Sequence, residues 1–241
     1  MEGSTDRSTE WFVPSRGPLK VRLFIGLLFL PYTAMVLSFA LIGSMLAETV
    51  YWDRVLATLV VYFLGLGIAA HAIDALGSRR IKPWGRHFSR VQLWALAGGA
   101  LVLAYGIASY YMIRYVPMLW AVAALEGFFV FAYNLEWFNG RFHTDIAFVF
   151  SWGMLPVIAG YMMQTNRLSI PALVVSAAMG LLSYIEITAS RPYKELKRRE
   201  RGTGGVLAGE PGDSMARYER ILKSISAGVV LLAVGMAIHR W

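Results

Sequence analysis

Seven stretches of roughly 20 mostly apolar residues punctuate this chain, near 21 to 45, 55 to 77, 91 to 110, 115 to 136, 145 to 163, 169 to 189 and 220 to 238. That is the length an α-helix needs to cross the hydrocarbon core of a bilayer. Lipid offers a bare backbone no hydrogen-bond partner, so spanning segments of this length must be helices that satisfy their own peptide groups. The expected fold is all-α, a polytopic transmembrane helix bundle of about seven spanning helices. Composition agrees, with 57% hydrophobic and 16% charged residues and a mean hydropathy of +0.52, outside the range of ordinary soluble domains.

The charges fall between the apolar segments. With the N-terminus inside, 19 of the 23 Lys and Arg lie on the cytoplasmic side, and only Arg54, Arg114, Arg167 and Arg240 remain outside, as the positive-inside rule requires. An odd number of crossings then puts the C-terminus outside, in the plasma (cytoplasmic) membrane. The same distribution accounts for the net charge of +8 without a nucleic-acid partner; the expected partners are membrane lipids. Residues 1 to 20 are polar, carry Pro14 and Pro18, and have no apolar core followed by a cleavage site, so they read as a retained, mobile cytoplasmic tail ahead of a single transmembrane domain over 21 to 241. The glycine-rich segment from Ser190 to Glu219 reads as a flexible cytoplasmic loop after an initial basic helix turn. Cysteine is absent, which excludes disulfides, thiolate metal sites and a thiol nucleophile. Lys20, Lys82, Lys194, Lys197 and Lys223 are expected in loops or at helix ends, which excludes a retinal Schiff base.

Ionisable side chains at membrane depth are costly, and each marks a candidate site. With alternating helix directions, His71, Asp74, Tyr133, Asn134, Glu136, His143, Asp145, Tyr184 and Glu186 converge on the cytoplasmic mouth of the bundle. Glu126 alone lies nearer the middle, either as an interhelical hydrogen bond or as a proton relay. Carboxylates at the C-terminal ends of helices face the negative end of the macrodipole, at a cost of roughly 0.3 to 1 kcal/mol each. Something positive must compensate, and the choice is between nearby arginines and a bound cation.

Two windows echo each other at this mouth. Residues 73 to 82 read Ile-Asp-Ala-Leu-Gly-Ser-Arg-Arg-Ile-Lys, and residues 185 to 194 read Ile-Glu-Ile-Thr-Ala-Ser-Arg-Pro-Tyr-Lys. Each offers an acid, then Ser, Arg and Lys, which can hold a cation and an anionic head group together. Ser78, Arg79, Lys82, Ser190, Arg191 and Lys194 are therefore candidate ligand contacts, the cationic ones neutralising phosphate oxygens. Asp74 and Glu186 suit Mg2+, which keeps only one or two protein carboxylates when a diphosphate supplies the remaining oxygens. If His71 and His143 join them, the mixed imidazole and carboxylate set shifts toward Zn or Fe, with Glu136 and Asp145 in acid-base roles.

These residues resemble the UbiA-type intramembrane prenyltransferases, whose aspartate-rich motifs follow the second and sixth helices. The stretch from Ala70 to Ser78, running on through Arg79 to Pro83, is similar to the family's first motif with Asp74 as its one remaining acid. Tyr184, Glu186, Glu195 and Lys197 are a loose counterpart of the second. Tyr133-Asn134-Leu135-Glu136 looks like the family's Tyr-Pro-x-x-Lys, and Pro31-Tyr32-Thr33 resembles its Arg-Pro-x-Thr start. The resemblance implies a transferase acting on a polyprenyl or other lipid diphosphate in a cytoplasmic-side cavity, with Asp74 and Glu186 as Mg2+ ligands, Arg79 and Arg191 as phosphate clamps, and catalytic roles for Asp74, Tyr133, Glu136 and Asp145. Two alternatives keep the fold: a His and carboxylate metal enzyme modifying lipids, and a non-catalytic lipid-binding or assembly subunit.

Overall fold

The computed structural model describes residues 10 to 77, 87 to 203 and 209 to 241, and among them the only regular structure is helical. Six helical segments are long and apolar enough to cross a membrane, and Leu119–Asn134 is a seventh, shorter apolar helix of 16 residues.

The first apolar segment is two helices, α1 (Leu19–Leu27) and α2 (Leu30–Met45). Between them Phe29 adopts a left-handed conformation, φ 43°, which is uncommon for a bulky residue. The Thr33 hydroxyl donates to the Leu28 carbonyl at 2.6 Å, occupying an acceptor that the break would otherwise strand. The second segment is α3 (Trp52–Tyr62), a π-helical stretch Phe63–Ala70 and α4 (His71–Gly77). α5 (Arg90–Arg114) starts on a reciprocal cap in which Ser89 Oγ accepts from Gln92 N and Gln92 Oε1 from Ser89 N, satisfying two orphan donors. α6 (Leu119–Asn134) runs into α7 (Trp137–Gly140), a tight turn in which Phe138 and Asn139 are left-handed.

The fifth segment comprises α8 (Asp145–Phe148), a second π-helical stretch Val149–Met154 and α9 (Leu155–Thr165). Pro156 has no N–H to give the carbonyl four residues back, and the wide turn falls on that gap. The last two helices are α10 (Ile170–Thr203) and α11 (Glu210–Arg240).

α2 and α9 cross at backbone contact. A Cβ built on Gly43 would lie 2.0 Å from the Val157 carbonyl oxygen, and one on Gly160 would lie 2.0 Å from that of Ala40. Ser44 Oγ donates across the crossing to the Gly160 carbonyl at 3.3 Å. Small residues that admit such an approach drive helix association in lipid, where apolar side chains gain nothing by meeting. The end of the bundle near this crossing is closed by polar caps. Arg54 donates to the carbonyls of Met163 and Gln164 and lies over the rings of Tyr51 and Tyr115. Arg240 donates to those of Met45 and Ala47.

Two expectations are corrected. Most of the segment expected as a loop over 190 to 219 is helix, because α10 continues through Thr203 and α11 begins at Glu210. Gly202 and Gly212 fall within the helices, and the basic residues of α10 are laced by ion pairs one turn apart, Glu195 with Arg199 and Lys197 with Glu200, which support a helix there. Lys194, Lys197 and Lys223 accordingly lie inside helices rather than in loops. The tail is not free from Glu10 onward: Glu10 is 5% exposed and Val13 8%. Trp11, Phe12 and Val13 give that segment enough apolar surface to dock. Residues 1 to 9 lie outside the described residues.

Candidate functional site

One face of α10 carries Glu186, Ile187, Ser190, Arg191 and Lys194, spaced so that all five fall on one stripe. That stripe lines a cavity of about 330 Å³, within the range of roughly 300 to 1,000 Å³ typical of small-molecule sites. α4 contributes His71 and Asp74 from the opposite side in sequence, three residues apart and hence on one face. The end of α6 adds Tyr133 and Asn134, and the turn after it adds Glu136 and His143. The second echo window and the acid of the first thus meet in one cavity. Ser78, Arg79 and Lys82 lie outside the described residues.

Polar groups gather on these walls, and apolar ones form the rest. Leu27, Leu66, Phe148 and Trp152 line the cavity from α1, the π-helical stretches and α8. Both widened turns therefore contribute to the wall; such turns are rare and recur at functional sites. The approach of α4 to α6 depends on Gly77, whose Cβ would lie 2.0 Å from the Asn134 carbonyl oxygen.

Tyr133 is 7% exposed, and its hydroxyl lies in the field of Asp74, Arg191, Asp145 and Glu186. The His143 ring packs on the Tyr133 ring at 4.5 Å, and His143 Nδ1 lies 3.1 Å from the Tyr133 carbonyl oxygen. A carbonyl only accepts, so Nδ1 carries the proton and Nε2 is left as an acceptor in the neutral ring. Glu136 is held at the rim by a left-handed turn, φ 53°, a conformation that costs a non-glycine residue free energy and persists where surrounding structure imposes it. Asn134 Nδ2 donates at 2.8 Å to the Val130 carbonyl of its own helix.

Asp145 does not line the cavity. Its carboxylate forms an ion pair with Arg191, whose Nη1 donates to Oδ2 at 3.1 Å, so it orients the guanidinium at the rim. Tyr184 is 48% exposed and also outside the cavity, as are Glu195 and Lys197, paired along α10. His71, Asp74, His143 and Glu186 share the cavity but do not make a ready ligand group: among the described residues no three of His, Asp or Glu are grouped to hold a metal ion. Glu126 is removed from the site and accepts a hydrogen bond from the Tyr62 hydroxyl across helices.

Tyr32 was missed as a site residue. It is 9% exposed, its ring stacks on Phe148 at 5.4 Å, and its hydroxyl, beside Glu186 and Tyr133, has no hydrogen-bond partner among the described residues. A buried hydroxyl without a partner costs roughly 1 to 3 kcal/mol, and a ligand in the cavity would supply the partner. Its sequence signal was faint, a tyrosine two residues into an apolar helix. Comparison with known protein families, curated proteins and solved structures gives no match to this chain.

Proposed function

We propose that this chain is a UbiA-like integral membrane transferase that binds a prenyl or other lipid diphosphate, with the N-terminus on the cytoplasmic side and seven crossings. The single observation that supports it most is the amphiphilic cavity, polar at Asp74, Glu186, Arg191 and Lys194 and apolar at Leu27, Leu66, Phe148 and Trp152. In this reading the head group lies against Arg191 and Lys194 and the chain against the apolar wall. Asp145 holds Arg191 ready, and Tyr32 donates to a ligand oxygen.

Charge balance points to a cation in the complex. Asp74, Glu136 and Glu186 line the cavity beside Arg191 and Lys194, and a cation among the carboxylates would offset the charge that a diphosphate adds. Two carboxylates from separate helices fit one Mg2+ that takes its other ligands from phosphate and water. Bound there, the ion would neutralise charge on a departing diphosphate. In this reading His71 and His143 are not metal ligands. The tautomer of His143 instead suits proton transfer, with Nε2 as acceptor.

The test is binding of geranylgeranyl diphosphate to purified protein in lipid vesicles, with and without Mg2+. Saturable, Mg2+-dependent binding weakened at least tenfold by Asp74→Asn and by Arg191→Ala supports the reading. No binding, or binding indifferent to both substitutions, rejects it.

A further inference from the structure

Beside the cavity, with Tyr32 and Glu186 in the wall of both, is a small lobe of about 20 Å³ whose lining also includes Glu10, Trp11 and Phe12. Those residues belong to an irregular strap, and its ties are few and specific. Glu10, 5% exposed, accepts hydrogen bonds from the Tyr193 hydroxyl at 2.9 Å and from Arg201 Nη2 at 2.6 Å, both on α10. The Phe12 ring lies 4.5 Å from that of Phe29, which itself lines the main cavity. The Pro14 carbonyl accepts from Arg22 Nε on α1.

Beyond these ties the strap is built to swing. Ser15, Arg16 and Gly17 are exposed, and Gly17 has φ 108°, a conformation that only glycine adopts at little cost. The latch is also imperfect, since Arg201 Nε is buried without a hydrogen-bond partner among the described residues. Trp11 adds packing against Ala189, Tyr193 and Leu222 under the Lys223 ammonium, so the Glu10 ties are the polar part of a closure whose opening removes the wall of the lobe.

We propose that residues 10 to 14 are a latched gate over a side opening of the cavity, fastened by Glu10 to Tyr193 and Arg201, and that the chain of a lipid diphosphate is admitted where the strap lifts. The gate rests on the lipid-diphosphate reading above. In a gated site the rate of association scales with the fraction of open molecules, so loosening the latch speeds binding.

The chain has no cysteine, so Val13→Cys, at a position 8% exposed, gives a single thiol whose labelling by a maleimide reports strap opening. Glu10→Gln and, separately, Arg201→Gln are then added from the two sides of the latch. Each is expected to raise the labelling rate at least about fivefold, the equivalent of one lost hydrogen bond. The association rate of geranylgeranyl diphosphate, followed by stopped-flow tryptophan fluorescence, should rise in proportion. Unchanged labelling in either variant overturns the latch. Faster labelling with unchanged association overturns the gate and leaves the binding reading intact. Absence of any geranylgeranyl diphosphate binding in the parent protein overturns that reading and the gate with it, however readily the strap opens.

Discussion

Tyr32 and Arg191 illustrate opposite ways in which one side chain can serve a cavity. Tyr32 keeps a hydroxyl dry and unpartnered beside Glu186, whereas Arg191 is 53% exposed in its side chain and steadied by Asp145. Removing the hydroxyl in Tyr32→Phe should therefore leave the melting temperature unchanged or slightly higher while weakening geranylgeranyl diphosphate binding about fivefold, the worth of one hydrogen bond. Asp145→Asn should act only through Arg191. It should weaken binding less than Arg191→Ala does, and in the Arg191→Ala background it should have no further effect, which a double-mutant cycle measures directly. Independent, additive losses would show that Asp145 contacts the ligand itself.

The helices were legible in the sequence because twenty apolar residues in lipid permit few alternatives, and each expected segment corresponds to helix over most of its length. Their interruptions were not. The break at Phe29 and the widened turn over Phe63–Ala70 depend on what packs beside them, and an apolar run looks the same whether straight or broken. Pro156, and Pro31 just after the Phe29 break, are the letters that mark a disturbance, since a missing N–H can be read from one letter. The convergence of His71, Asp74, Tyr133, Glu136, His143 and Glu186 was legible from alternating helix direction. The diversion of Asp145 to Arg191 was not, because a pairing between helices needs their relative rotation.

The α2 and α9 crossing follows the same logic, as its glycines look like any others until two backbones meet. Gly160→Ala places a methyl group where the Ala40 carbonyl already lies, and overpacking of this kind costs about 1 to 3 kcal/mol. A clear drop in melting temperature is expected, whereas Gly99→Ala, with open space around its Cβ, should leave it unchanged or raise it slightly.

At the scale of the molecule, the length of the last two helices matters. α10 has 34 residues and α11 has 31, about 51 and 46 Å at 1.5 Å per residue, against a hydrocarbon core of roughly 30 Å. Their joined ends must project well beyond the bilayer on the face that carries the cavity. Single cysteines at exposed Asp213 and Arg167 test the orientation: in sealed inside-out vesicles an impermeant maleimide should label Asp213→Cys and spare Arg167→Cys. The reverse pattern would invert the topology.

The left-handed joint at Phe29 has a mechanical consequence. α1 has nine residues, about 13 Å of helix, too short to cross the bilayer by itself, and it carries the strap at its outer end. α2 beyond the joint packs backbone to backbone on α9, while α1 is set into the core by Leu23 and Leu27. The first crossing is thus two pieces meeting at the cavity wall, and any displacement of α1 would bear on that wall through Leu27 and Phe29.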